Sequence, residues 1–351
     1  MVGVFSTVAA GNLLSLLVDT EGKVWYSSID GIVPQNTYTD MPPVRSVISN
    51  EKNCLFVDIN DNIWYCGKNE NSQAGFNHSL PIIVPQLLEN IIPSTITHIS
   101  ISNTHSLVLD TEGNVWSCGL NNHGQLAVEN CECKSRPVKI TSLPIPIKSV
   151  SCSRSHSLFL DVTGNVWSCG NNESGQLGIE ITGGSRTPLK LDNLSAIKSV
   201  SCSAFFSIFL DQDGEVWVCG SNKYGQLGMG IVDQVRIPSK LNLASKIRSV
   251  ATGEAHTLLL DEKGCVYGCG WNNYGQIGAP NQNVTTPNVI PGIPPINSLD
   301  CGSTHSVCLD YEGKVWFFGE VAPNPFCFDT LTVQLPPMDG GYNTKSARNW
   351  F

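Results

Sequence analysis

Residues 147–178 read IKSVSCSRSHSLFLDVTGNVWSCGNNESGQLG, and after a loop the chain continues TPLKL at residues 187–191. SVSCS and HSLFL alternate or cluster apolar residues over strand lengths. Between HSLFL and NVWSCG stands Asp161-Val162-Thr163-Gly164, a tight-turn signal. An Asp side chain there bonds nearby backbone amides, and the Gly accepts a positive φ. NVWSCG is the return strand of that hairpin. The glycine-rich run Gly170–Gly178 reads as an ordered loop rather than a strand, and TPLKL supplies a fourth short strand.

The same string recurs through the chain. Its anchor Asp appears at Asp19, Asp58, Asp110, Asp161, Asp211, Asp261 and Asp310, at intervals of 39, 52, 51, 50, 50 and 49 residues. Six residues after each comes an aromatic: Trp25, Trp64, Trp116, Trp167, Trp217, Tyr267 and Trp316. Seven matches in register define a repeat protein, with units at about residues 4–41, 42–92, 93–143, 144–194, 195–244, 245–293 and 294–338, and a tail at 339–351. Four short strands per unit make a propeller blade. One such sheet cannot bury both faces alone; blade packed on blade buries them, and a closed circle leaves only short edges. The expected fold is therefore all-β: a single seven-bladed β-propeller over residues 1–338, built of four-stranded antiparallel blades. Pairing of the N- and C-terminal segments is expected to close it, with LTVQL at residues 331–335 joining the blade that the N-terminus begins. The sequence leaves that strand phase open.

Composition narrows the function. The 351 residues carry 21 Lys or Arg against 30 Asp or Glu, a formal net charge of −9, with no basic block. Phosphate affinity rests on cation contacts, so direct binding to nucleic acid or anionic lipid is not expected. A partner with a basic surface fits better. The opening MVGVFSTVAAGNLLSLLV lacks a positive n-region and is interrupted by Gly11 and Asn12, and it aligns with the first strands of later units. No run reaches the length of a membrane span. A soluble intracellular monomer is expected, cytoplasmic or nuclear and not secreted.

Three stretches carry a family likeness: His-Ser-x-x-Leu, Gly-x-Val-Trp-x-Cys-Gly and Asn-x-x-Gly-Gln-Leu-Gly. On these the chain resembles the regulator of chromosome condensation repeat family. The likeness is strong in the units anchored at Asp110, Asp161, Asp211 and Asp261, partial at Asp58 and Asp310, and weakest in the first unit, which lacks the Gly-Gln-Leu-Gly loop. The resemblance implies a seven-bladed propeller, in agreement with the count. It also implies guanine nucleotide exchange on a Ran-like small GTPase as an alternative to plain protein binding. In the family that activity uses a wedge between blade strands, and chromatin docking uses a basic tail. Here the stretches Ala127–Pro137, Gly178–Pro188, Gly228–Pro238 and Gly278–Pro287 are nearly equal and leave no room for an extra hairpin. A plant ultraviolet-B photoreceptor shares the propeller and depends on tryptophans just before the repeat His; Thr104, Arg154-Ser155 and Ala255 stand there instead.

Side chains with chemistry follow the repeat. His105, His156, His256 and His305 hold one repeat position, so they belong to different blades and read as buried core residues bonding neighbouring backbone rather than a metal or catalytic cluster. Asn53 and Phe206 replace them in two units. The 14 cysteines read mostly as small buried hydrophobes and free thiols of a reducing compartment. Cys131-Glu132-Cys133 lacks further ligands nearby for a metal. Sequons such as Asn77-His78-Ser79 would suit a secreted inhibitor or adhesion propeller, against which the thiols speak. No phosphate loop, catalytic triad or carboxylate pair stands out from the repeat, so no cofactor, metal or catalytic residue is assigned.

Two faces remain for partners. The Asp-x-x-Gly turns should emerge together and form an acidic face, with Glu21, Asp61, Glu112, Asp213, Glu262 and Glu312 as candidates; the anchor Asp residues cap their own turns. The Asn-x-x-Gly-Gln loops form the opposite face. There Tyr224, Trp271 and Tyr274 gather on neighbouring units, with Lys223 and His123 as further partner-binding candidates. The expected function is that of a non-catalytic protein–protein interaction module.

Overall fold

The computed structural model describes residues 4–11, 15–28, 31–34, 41–50, 52–129, 132–144, 146–194, 196–279, 282–320 and 324–327. Its strands form seven four-stranded antiparallel sheets, each built in sequence order from one repeat unit. We number the blades 1 to 7: Phe5–Pro34, Val44–Leu87, Ile96–Lys139, Ile147–Lys190, Ile197–Lys240, Ile247–Val289 and Ile296–Cys327. First strands of neighbouring blades pack on one another, which sets them around the axis of a seven-bladed β-propeller. Among the described residues no helix is long and apolar enough to cross a membrane.

Blade 4 shows how the sequence makes the unit. Its strands are Ile147–Cys152, His156–Asp161, Val166–Gly170 and Ser185–Lys190. The second strand is buried throughout, because both its faces meet other blades. At the turn, Asp161 Oδ1 accepts the N–H groups of Thr163 and Asn165, each at 2.9 Å, and Gly164 takes φ 87°. The other carboxylate oxygen accepts the Trp167 indole N–H at 3.2 Å. One side chain thus fixes both the turn and the aromatic six residues on. This bond recurs in every blade, from 2.7 Å at Asp19–Trp25 to 3.4 Å at Asp261, where the donor is the Tyr267 hydroxyl. The anchor aspartates are turn caps, as expected.

The blades are joined by a polar clasp inside the apolar core. At the seam between blades 3 and 4, Ser157 Oγ lies 2.8 Å from His105 Nε2 and donates to the Gln125 carbonyl at 2.7 Å. A hydroxyl has one proton, and Ser157 places it on that carbonyl. His105 Nε2 must therefore carry a proton and donate to Ser157. His156, Ser207 and Gln176 repeat the arrangement between blades 4 and 5 at 2.8 and 2.7 Å. His256, Ser306 and Gln276 do so between blades 6 and 7 at 2.9 and 2.7 Å. Expected to bond neighbouring backbone, the histidines instead bind hydroxyl side chains, above all that of the next blade. At Phe206 and Asn53, half of the clasp stays. Thr257 donates to the Gln226 carbonyl at 2.7 Å beside Phe206, and Ser106 donates to the Gln73 carbonyl at 2.6 Å while Asn53 donates to the Ser102 carbonyl at 3.1 Å.

The ring closes between blades 7 and 1. His305 Nε2 lies 2.8 Å from Ser15 Oγ, and the Ala10 N–H donates to Asp300 Oδ2 at 2.8 Å. Phe5, Leu17 and Trp25 share an apolar cluster with Val307, Leu309 and Phe317. Blade 1 draws its four strands from residues 5–34, and blade 7 has its own fourth strand at Phe326–Cys327. The first and last blades therefore meet face to face; the LTVQL segment and the tail lie outside the described residues. Pro325 places the last strand in the repeat. It packs near Gly278 of blade 6 as Pro238 and Pro287 pack near Gly178 and Gly228, so it is the outer-strand proline of the repeat.

Removing the clasping hydroxyl leaves a buried imidazole N–H unpaired and the carbonyl with only a weak thiol donor, Cys169 at 3.7 Å for Gln125 and Cys219 at 3.6 Å for Gln176. Ser157→Ala and Ser207→Ala should each lower the unfolding free energy by about 2–4 kcal/mol in urea titration, whereas Thr257→Val, beside Phe206, should cost about 1–2 kcal/mol. Equal losses at all three positions would contradict the clasp.

Candidate functional site

The loop face is built on the Asn and Gln of each Asn-x-x-Gly-Gln motif. In blade 5, Asn222 Oδ1 accepts the Leu227 N–H at 2.9 Å, and its amide donates to the Gly230 carbonyl at 3.0 Å. Gln226 Oε1 accepts the Tyr224 N–H at 2.9 Å. Blade 6 repeats this with Asn272 holding Ile277 and Gln276 holding the Tyr274 N–H at 3.1 Å. Both motif side chains are buried, so they turn the variable residues between them outward.

On this frame the three predicted aromatics meet. The Tyr224 and Trp271 rings lie 6.3 Å apart and tilted by 43°; Trp271 and Tyr274 lie 5.4 Å apart, edge to face at 83°. Tyr224 is 46% exposed and Tyr274 41%, while Trp271 is half-buried. Lys223 is exposed beside Tyr224. His123 is not brought to them. It lies on blade 3, its Nδ1 3.3 Å from the Asn171 amide of blade 4.

Trp271 sits where a polar residue would serve the fold better. In blades 4 and 5 the motif Gln amide donates to Asn171 Oδ1 at 2.9 Å and to Ser221 Oγ at 3.4 Å. Trp271 occupies that place in blade 6 and offers no acceptor, so the buried Gln276 Nε2 has no protein partner. Leu120 and Gln125 stand in the same relation in blade 3. An unpaired buried donor costs about 1–3 kcal/mol, which blade 6 bears while presenting an indole at its surface.

Sequence reasoning missed Phe205, which is 45% exposed. Its carbonyl accepts the Ser221 N–H at 2.9 Å, as the Ala255 carbonyl accepts that of Trp271 at 2.8 Å, so both belong to the loop face. The signal was available: Thr104, Ser155, Ala255 and Thr304 hold the same repeat position. Ile231 and Val232, also exposed, extend the patch outward on blade 5.

The turn face carries all six predicted carboxylates in exposed positions. Its charge is nevertheless mixed. Asp61 pairs with Arg45 and Glu312 with Lys314, both at 2.7 Å, and Glu215 takes Lys240 and Lys246. These cations come from strand ends rather than turns, and every blade delivers strand ends to this face. Glu21, Glu112, Asp213 and Glu262 remain at the turn tips.

The four predicted core histidines stay at separate seams. Burial pushes His105, His156 and His256 down to about 3, so they are neutral. Burial likewise pushes the Cys118, Cys152 and Cys269 thiols up to about 12, which keeps them protonated and unreactive. Asp300 is raised to about 6 by burial, against the N–H bonds of Ala10 and Cys301.

The chain matches the model of the RCC1-like domain over residues 1–324. It is 33% identical over 138 residues to the Xenopus laevis protein RCC2 homolog, covering 38% of this chain and 27% of that protein. It is 33% identical over 146 residues to the Mus musculus RCC1-like G exchanging factor-like protein, covering 37% of this chain and 32% of that one. These matches thus span roughly a quarter to a third of each relative's length. Among solved structures, Prp20p from Saccharomyces cerevisiae superposes with a TM-score of 0.76 at 20% identity, covering 88% of this chain and 84% of that one.

The histidines fix the pH response. They charge in the unfolded chain near their ordinary 6.5 but are held neutral in the fold. Their stabilisation is complete above that pH and is lost as pH falls from 6.5 toward 3, by about 2 kcal/mol each at pH 5. Asp300 acts oppositely, gaining about 1 kcal/mol by pH 5. The melting temperature should therefore fall between pH 7 and pH 5, and His156→Phe should flatten that slope. An unchanged slope would contradict the neutral clasp.

The repeats, the seven-bladed ring and the match over residues 1–324 place this chain in the RCC1-like domain family.

Proposed function

We propose that this chain is a non-catalytic binding propeller whose loop face over blades 5 and 6 receives a protein partner. The observation that carries the reading is the contact of Tyr224, Trp271 and Tyr274 on adjoining blades, with both tyrosines exposed. Aromatics of this kind anchor protein interfaces because they bury large area with little side-chain entropy to lose. They stand on loops whose backbone is held by buried Asn and Gln, so little ordering remains for binding to impose. We further propose that the chain works as a monomer inside the cell, in cytoplasm or nucleus; its buried free thiols at Cys118, Cys169, Cys219, Cys269 and Cys308 support a reducing compartment. The remaining turn-tip carboxylates favour a basic protein as a second contact, with no direct nucleic-acid or membrane binding.

A second reading is nucleotide exchange on a small GTPase. It is supported by the relative named as a G exchanging factor-like protein, and by the fold shared with Prp20p, whose binding to Gsp1p and histones is described. Exchange of this kind acts by protein contact and needs no catalytic side chain.

Affinity capture from lysate should recover a defined protein set with the parent chain and lose it with Trp271→Ala or Tyr224→Ala. Capture that is the same for parent and both variants would remove the loop face. For the second reading, excess protein should speed release of labelled GDP from a small GTPase in a panel, and release at the intrinsic rate throughout would end it.

A further inference from the structure

The three aromatic rings do not stack. With tilts of 43° and 83° between neighbours, they present faces in different directions around Trp271. An aromatic face carries negative charge density and attracts a cation laid upon it, and indole does so most strongly. The charges around the rings have the sign that such a guest requires. Glu254 is exposed and directly precedes Ala255, whose carbonyl holds the Trp271 N–H at 2.8 Å. Glu320 takes in blade 7 the position of Trp271 in blade 6; it is exposed and accepts the Thr304 hydroxyl at 2.7 Å. Asp233 is exposed on blade 5, its carbonyl accepting the Asn222 N–H at 2.7 Å. Among the described loop residues of blades 5 to 7 on this face, Lys223 is the one cation; Arg236, in the outer strand of blade 5, turns to the Asn172 and Glu173 carbonyls of blade 4.

We infer that the patch over blades 5 and 6 recognises an arginine or lysine side chain of a partner peptide, laid against Trp271 between Tyr224 and Tyr274, with Glu254 and Glu320 supplying the attracting charge. The inference rests on the loop-face reading above and names the chemistry of its partner. Phe205 on the same face, with Ile231 and Val232 farther out, provides apolar surface for residues flanking the cation. An acidic peptide would be repelled by these carboxylates, and a purely apolar one would make no use of them.

The test is to pan a library of random nine-residue peptides on the whole chain and measure soluble versions of the enriched sequences. Enrichment of Arg or Lys at a fixed position is expected. Replacing that residue by citrulline or norleucine should weaken binding about tenfold. Trp271→Ala and Tyr224→Ala should abolish or strongly weaken binding, and Glu254→Gln should weaken it about threefold while reducing its salt dependence. Tyr224 is nearly half exposed, so its variant keeps the test valid if Trp271→Ala unfolds. No binder, a consensus without a cation, or affinity indifferent to citrulline would overturn the inference. Lysate capture lost with Trp271→Ala would still uphold the loop face itself, so the two failures are separable.

Discussion

The ring depends on a hydroxyl buried between blades. Ser157, Ser207 and Ser306 each sit in a seam otherwise filled with Leu, Phe, Val and Cys. A polar atom in such a place is tolerable only when fully bonded, and each hydroxyl is bonded twice, both times to the preceding blade. This gives direction to the packing. Apolar surfaces alone would let one blade slide on the next, but a hydroxyl held by an imidazole and a carbonyl admits one register. The imidazole must remain neutral with its proton on Nε2, which ties blade packing to proton chemistry. In a repeat protein, stability is approximately a sum of such neighbour terms, so repetition of one bond around the axis multiplies its effect.

Departures from the clasp are informative because they are local; one is the seam between blades 1 and 2, where Cys54 stands in place of the hydroxyl. Asn53 keeps a cross-seam bond with an amide, and Phe206 replaces the imidazole with apolar volume. Phe206 faces the seam between blades 5 and 6, where Thr257 keeps the carbonyl half of the clasp. That seam also lies beneath the exposed aromatics of the loop face. Relaxed internal bonding and enriched surface aromatics thus coincide at one boundary. Local breaks of an otherwise consistent pattern are where function is to be sought.

Much of the molecule was legible from periodicity. Seven anchors gave seven blades, and the Asp-x-x-Gly turns and Asn-x-x-Gly-Gln loops fell on opposite faces as residue types demand. Equivalent positions in adjoining units are neighbours in space, which is why Tyr224, Trp271 and Tyr274 could be placed together. By the same logic His123, two seams away, belongs to another part of the rim. What the period could not give was the partner of each side chain across a seam. The Ser157 hydroxyl reaches a carbonyl 32 residues earlier, and the indole of Trp167 reaches back to Asp161; neither is written in alternation or hydropathy. The acidity of the turn face was overread for a related reason. Arg45, Lys240 and Lys246 stand at strand ends, outside the turn motif, yet arrive on the same surface. Phe326–Cys327 as the last outer strand was signalled only by Pro325, at the repeat's proline position.

Native-state hydrogen exchange, resolved along the chain, tests the seam clasp most directly. Amides of the strands flanking the clasped seams, His105–Asp110 with Ile147–Cys152 and His156–Asp161 with Ile197–Cys202, should exchange only through global unfolding. Those flanking the seam at Phe206, where the imidazole is missing, should open at lower free energy. Uniform protection around the ring, or faster exchange at the clasped seams than at Phe206, would show that apolar packing alone holds the blades and that the buried hydroxyls are incidental.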